Sequence, residues 1–130
     1  MLIQSRPVTD PEVATLVAAW RREVGATGGP RDDGGHLVAV LHGRAVACGG
    51  VHELGDGVGE LSGLYVRPAY RRQGIARHLL VALEEVAFRQ GCAVLRVAVG
   101  AYGPVAGALY RSCGYAPVGA YLAKRLPLAA

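Results

Sequence analysis

The sequence predicts one mixed α/β domain, a mostly antiparallel sheet with flanking helices. Three observations carry this expectation. Apolar residues recur at helical spacing in Val13, Leu16, Val17 and Trp20, and again in Ile75, Leu79, Leu80, Leu83, Val86 and Ala87. Between those stretches lie short apolar runs separated by Gly-containing turns, the pattern of hairpins. After the second helical stretch, Ala93 to Val99 is almost continuously apolar, as in a strand buried on both faces.

The elements follow in order. Leu2 to Arg6 reads as an edge strand stopped by Pro7. Thr9-Asp10-Pro11-Glu12 offers a capping side chain, a first-turn proline and an acid, so a helix starts there and runs to about Val24. Gly25 to Gly35 is rich in Gly, Pro and Asp and predicts a loop, the least ordered segment on composition. His36 to Leu41 and Arg44 to His52 form a hairpin around His42-Gly43, and Gly55-Asp56-Gly57 turns into a strand from Gly59 to Val66. The long helix begins after Gly74, with Glu84, Glu85 and Arg89 on its outer face, and Gly91 stops it. Pro104 to Ser112 is a short helix, and Ala116 to Leu126 supplies one last strand or two. No repeat or linker divides residues 1–130, so a single domain is expected.

Composition narrows the function. With 52% hydrophobic and 18% charged residues in 130, the chain can bury a core and is not a solvated coil. No apolar run approaches the roughly 20 residues of a membrane span, and Met1 to Arg6 lacks the pattern of a leader peptide. The expectation is a cytoplasmic protein with no membrane partner. Cys48, Cys92 and Cys113 form no C-x-x-C pair and sit in or beside apolar stretches, so buried small hydrophobes are expected. His36, His42 and His78 show no metal-ligand spacing, and no metal is expected. The net charge is +4, and every basic residue but Lys124 is arginine. Guanidinium forks suit phosphate oxygens. Aromatic content of 6% and the lack of an arginine-rich tail favour a polyphosphate cofactor over nucleic acid.

The informative segment is Leu64-Tyr65-Val66-Arg67-Pro68-Ala69-Tyr70-Arg71-Arg72-Gln73-Gly74-Ile75-Ala76. A strand feeds a turn, and the turn feeds the start of the longest helix. Free N–H groups and the positive dipole end converge there, which makes an anion site. Gly74 permits close backbone approach, Ala76 keeps the first turn clear, and Arg71 and Arg72 add charge at the rim. The competing reading is an ordinary helix start with surface arginines. Two other phosphate motifs fail. A P-loop needs a Lys after its last Gly, and the lone lysine is distant; Gly55-Asp56-Gly57-Val58-Gly59-Glu60 has Glu where a dinucleotide fingerprint needs Gly, and a strand follows it.

These residues resemble the GNAT superfamily of acetyl-CoA-dependent N-acetyltransferases. The strand ending L-Y-V-x-P-x-x-R matches Leu64 to Arg71, the signature R/Q-x-x-G-x-G/A matches Arg71, Gly74 and Ala76, and A-L-Y-x-x-x-G-F matches Ala108 to Tyr115. The resemblance covers the chain from about His36. It implies a GNAT fold in which the fourth and fifth strands splay apart. It implies acetyl-CoA as cosubstrate, without metal, and transfer of the acetyl group by direct attack of an amine in a ternary complex. Leu64, Tyr65 and Val66 would border the pantetheine arm, paired through the backbone of Leu64 and Val66. The amides of Arg72, Gln73, Gly74, Ile75, Ala76 and Arg77 would hold the pyrophosphate. A backbone N–H near Val66 would serve the oxyanion. Tyr110 would lie near the thioester sulfur as acid, the alternative being a core aromatic. Glu60 is the first candidate base, directly or through water, with His52 and Glu53 behind it; the alternative is a solvent-facing carboxylate. A homodimer through the last strands or the sheet edge is common in the family. The acceptor would be a small-molecule primary amine or a peptide amine.

The pattern also departs from the family. The stretch E-T-G-x-x-Q-P-E-A becomes Ala98 to Ala106, with Ala98, Gly103 and Val105 at the Glu, Gln and second Glu positions. E-L-K-R becomes Glu60-Leu61-Ser62-Gly63, and the frequent Asn near Gly103 is missing. A smaller or more apolar acceptor, or a module that binds acetyl-CoA with little turnover, would each account for the lost polar groups.

Overall fold

The computed structural model describes residues 1–25, 35–98, 100 and 102–126. The loop expected from Gly25 to Gly35 lies outside the described residues except at its ends. Strand β1 (Leu2–Arg6) leads to helix α1 (Pro11–Val24), then β2 (Gly35–Leu41), β3 (Arg44–Gly55) and β4 (Val58–Val66). A single 3₁₀ turn (Pro68–Tyr70) precedes α2 (Ile75–Arg89), followed by β5 (Val94–Ala98), α3 (Pro104–Ser112), β6 (Ala116–Val118) and β7 (Tyr121–Arg125). The stretch expected to hold one last strand or two thus forms two, turning at Gly119-Ala120.

The seven strands form one sheet in the order β1-β2-β3-β4-β5-β7-β6. All neighbours are antiparallel except β4 and β5, which are parallel and joined by the α2 crossover. Asp10 caps α1, its Oδ2 accepting from the N–H groups of Glu12 and Val13 at 3.1 Å. Gly25 closes the helix in the left-handed conformation, φ +69°.

Each face of the sheet has its own core. Val13, Leu16 and Val17 of α1 pack with Val38, Ala45 and Cys48 on one face. On the other, Ile75, Leu79, Leu80 and Leu83 of α2 and Tyr110 of α3 pack with Leu61, Leu64, Val66, Leu95 and Val97. Burial of each Val, Leu or Ile side chain among them contributes about 1.5–3 kcal/mol. The helix lies tight against β3: a Cβ on Gly49 would stand 2.8 Å from Leu83 Cδ1.

Strand β4 carries a bulge that positions the site. Tyr65 pairs with Cys48 and Ser62 with Gly50, so Gly63 and Leu64 together face Gly49. Gly63 takes φ +65° there, and its carbonyl accepts from Cys48 Sγ at 3.3 Å. The extra residue resets the alternation, so Leu61, Leu64 and Val66 all enter the α2 core.

Three expectations change. Strand β5 is buried on one face only, through Leu95 and Val97, while Val94, Arg96 and Ala98 are half-buried; its lone arginine interrupts the apolar run. Glu84, assigned to the outer face of α2, is buried at 2% exposure, because Tyr115 and Lys124 bond its carboxylate. Cys48 and Cys92 are buried as expected, but Cys113 is half-exposed at the end of α3. Among the described residues no helix is long and apolar enough to cross a membrane.

Candidate active site

The parallel ladder between β4 and β5 has three rungs: Val58 with Val94, Gly59 with Leu95, and Glu60 with Arg96. Beyond the last rung the strands part, and Leu61 to Val66 have no β5 partner among the described residues. The result is a wedge open toward the end of β4. Arg67 N–H donates to the Val46 carbonyl of β3 at 2.9 Å. By strand alternation the peptide groups of Leu64 and the N–H of Val66 point the other way, into the wedge, while the Val66 carbonyl accepts from Arg71 Nε at 2.8 Å. A ligand chain can therefore add to β4 as a strand would.

At the open end the chain turns into α2. Gly74 is the N-cap, at φ +78° and ψ +8°, and no side chain caps the helix. No acidic residue occupies its first turn, so the amides of Ile75, Ala76 and Arg77 keep their donor capacity. Arg72 also takes a left-handed φ of +65°, and backbones bent this way form anion-binding concavities. A Cβ on Gly74 would meet nothing within 4 Å, so the glycine answers to its φ and to whatever approaches the turn. Arg71, Arg72, Gln73 and Gly74 are exposed, Ile75 is buried and Ala76 half-buried. The open β4 edge and the uncapped helix start are the two features a pyrophosphate-bearing pantetheine chain requires, and they adjoin.

Two of the arginines do more local work than a charged rim. Arg71 Nε donates to the Val66 carbonyl at 2.8 Å, its Nη2 pairs with Glu23 of α1 at 2.8 Å, and its guanidinium lies 5.4 Å from the Tyr65 ring centroid. It fastens the turn to β4 and α1, and Glu23 offsets its charge. Arg77 donates to Ser112 Oγ at 3.1 Å and Cys113 Sγ at 3.2 Å, tying the first turn of α2 to the end of α3. Arg72 is exposed and makes no hydrogen bond among the described residues.

Tyr110 of α3 is buried at 2% exposure in the α2 core. Its ring is held edge-on between Tyr102, at 5.6 Å, and Tyr115, at 5.5 Å. Gly107 makes room for this arrangement, since a Cβ there would come 2.9 Å from the Tyr102 ring. Burial, and secondarily Tyr102, raises the Tyr110 hydroxyl pKa above its ordinary value of 10.0. The phenol is protonated at neutral pH and available as a donor.

Glu60 projects from the face opposite Leu61. Its Oε1 accepts from Arg96 Nε at 3.1 Å, with both side chains about one-third exposed. The Arg96 guanidinium stacks on Tyr121 at 3.9 Å from the ring centroid. His52 stands opposite Glu60 in the β3 register. Sequence reasoning passed over Arg96 and Tyr121; the one signal was a charge inside the apolar run Val94-Leu95-Arg96-Val97-Ala98. Among the described residues no group of His, Cys, Asp or Glu is arranged to hold a metal ion.

Comparison with known proteins places this architecture. Residues 6–115 match the acetyltransferase (GNAT) family, and the chain belongs to that family. It is 35% identical over 86 residues to an IAA acetyltransferase of Azospirillum brasilense, an alignment covering 65% of this chain and 56% of the relative. The chain thus spans little more than half the length of that curated relative. A Klebsiella pneumoniae crystal structure provisionally assigned as an acyl-CoA N-acyltransferase superposes with TM-score 0.81 at 29% identity, over 96% of this chain and 97% of the other. A GNAT family acetyltransferase from Elizabethkingia anophelis with acetyl-CoA bound shares the fold, with TM-score 0.76 at 13% identity over 96% and 97% of the two chains.

Proposed function

We propose that this protein is an N-acetyltransferase that moves the acetyl group of acetyl-CoA to an amine by direct attack in a ternary complex. One observation carries the reading: the β4 edge opens away from β5 immediately before an uncapped helix start. In this arrangement the backbone of Leu64 and Val66 holds the pantetheine arm, with Tyr65 beside it. The amides of Arg72, Gln73, Gly74, Ile75, Ala76 and Arg77 hold the pyrophosphate. Arg71 shapes the turn through Val66 and Glu23 rather than gripping phosphate itself.

The amine nitrogen bonds to the acetyl carbon as the carbon–sulfur bond breaks. The amine's proton passes to Glu60 through water; its Oε2 has no partner among the described residues. A backbone N–H near Val66 steadies the oxyanion. Tyr110 donates to the departing thiolate. Its raised pKa keeps the phenol protonated at neutral pH, so it meets the developing thiolate as a neutral O–H rather than as a phenolate.

A second reading, an acetyl-CoA-binding module with little turnover, draws on Ala98, Gly103 and Val105 at positions often polar in the family, and on the Arg96 hold over Glu60. Incubation with acetyl-CoA and an amine panel, followed by thiol release, separates the two. Release above the amine-free rate supports transfer; coenzyme A binding with no release for any amine supports the module. The reading includes a cytoplasmic location and a homodimer through the last strands, the latter motivated by β6, a three-residue edge strand exposed along its whole length.

A further inference from the structure

We infer that the acceptor is a free amino acid or a similar small zwitterion, with Arg96 as the residue that binds its carboxylate; this rests on the acetyltransferase reading above. Glu60 and Arg96 form the last rung before β4 and β5 part, so they stand at the closed end of the wedge, where a chain threaded along β4 from the α2 turn must end. Both groups are only partly used. Arg96 spends Nε on Glu60 Oε1 at 3.1 Å and its flat face on the Tyr121 ring at 3.9 Å. Those two contacts fix the guanidinium plane. Nη1 and Nη2 of Arg96 and Oε2 of Glu60 have no partner among the described residues.

The rung therefore offers two oriented donors beside one open acceptor, opposite charges set side by side. An ammonium and a carboxylate joined by one or two carbons match that spacing of charges, and Arg forks favour carboxylate in two-point contact. The β7 residue opposite Arg96 is Ala123, which presents only a methyl group. A peptide N-terminus presents an uncharged amide where the zwitterion presents a carboxylate, so it would leave the donors of Arg96 poorly matched.

The test is a matched panel: the twenty amino acids, their amides and their decarboxylated amines, with kcat and KM from thiol release. The expected result is a preference for the carboxylate form of about ten- to a hundredfold in kcat/KM, the range of one charge-assisted hydrogen bond. The preference should reside in the acceptor KM. It should vanish in Arg96→Gln and survive partly in Arg96→Lys, with the KM for acetyl-CoA unchanged. Equal or better turnover of the amides, or a preference that persists in Arg96→Gln, overturns the inference while leaving the acetyltransferase reading in place. If no amine turns over, that reading fails instead. Calorimetry of amino acid against amide on the coenzyme A-saturated protein still decides the recognition, and equal affinity for the two overturns it.

Discussion

The Tyr115 hydroxyl donates to Glu84 Oε2 across 2.7 Å inside the core, and Lys124 Nζ reaches the same oxygen at 3.1 Å. Lys124 also donates to the Cys113 carbonyl at 2.7 Å. A buried carboxylate thus joins α2, whose start forms the proposed phosphate turn, to β7 and to the end of α3, the helix of Tyr110. Tyr115 is in turn one of the two rings that flank Tyr110.

Loss of one member should be costly, because it strands the others in the interior. Glu84→Ala is expected to lower unfolding free energy by about 3 kcal/mol, the lower end for a buried pair since Lys124 keeps some exposure. Replacing both charges, as Glu84→Leu with Lys124→Met, should recover most of that loss. Urea denaturation of the three proteins checks it.

Tyr110→Phe keeps the ring contacts with Tyr102 and Tyr115 and removes only the hydroxyl. The expected outcome is a fall in kcat of about 10²–10⁴-fold with little change in the KM for acetyl-CoA. Steady-state kinetics with the best amine of the panel measures it, and an unchanged kcat removes the phenol from the mechanism.

Gly74 and Gly43 share φ +78° and open surroundings, which makes them a matched pair. Alanine at either should cost about 1–2 kcal/mol of stability through the left-handed backbone. Only Gly74→Ala should also weaken coenzyme A binding, by roughly tenfold or more, about 1.4 kcal/mol. Calorimetric titration of both variants separates strain from ligand contact.

The carboxyl of Glu12 has its pKa lowered below 4.5, first by the hydrogen bond from Arg6 and then by the Ala45 N–H. Its folded value lies below its unfolded one, so its stabilisation is complete above the unfolded value and is lost as pH falls through the folded value. Melting temperatures of wild type and Glu12→Gln should differ at neutral pH and converge in acid, once the pH has fallen below the lowered folded-state value. A constant gap across that range contradicts the assignment.

Much of this was legible in the residues themselves. The cap at Asp10, the helix start at Gly74 and the hairpin at His42-Gly43 are local signals, written in side chains within a few positions of the feature they create. What escaped was long-range. Glu84 reads as outer-face polar until Tyr115 and Lys124, distant in sequence, arrive beside it. Arg96 looks like a misplaced charge until the parallel rung sets it against Glu60 and β7 brings Tyr121 beneath it. Arg71 carries the family signature, yet its partner Glu23 belongs to a helix that no local pattern connects to the turn. The bulge at Gly63 was equally hidden, because a glycine in a strand does not announce which alternation it resets.

The most direct test of the central claim is a crystal structure of the protein with coenzyme A bound. The account predicts the pantetheine amides paired with the backbone of Leu64 and Val66, the pyrophosphate on the amides of residues 72–77, and the sulfur beside the Tyr110 hydroxyl. A ligand seated outside the β4/β5 wedge, or a diphosphate held away from the start of α2, would contradict it.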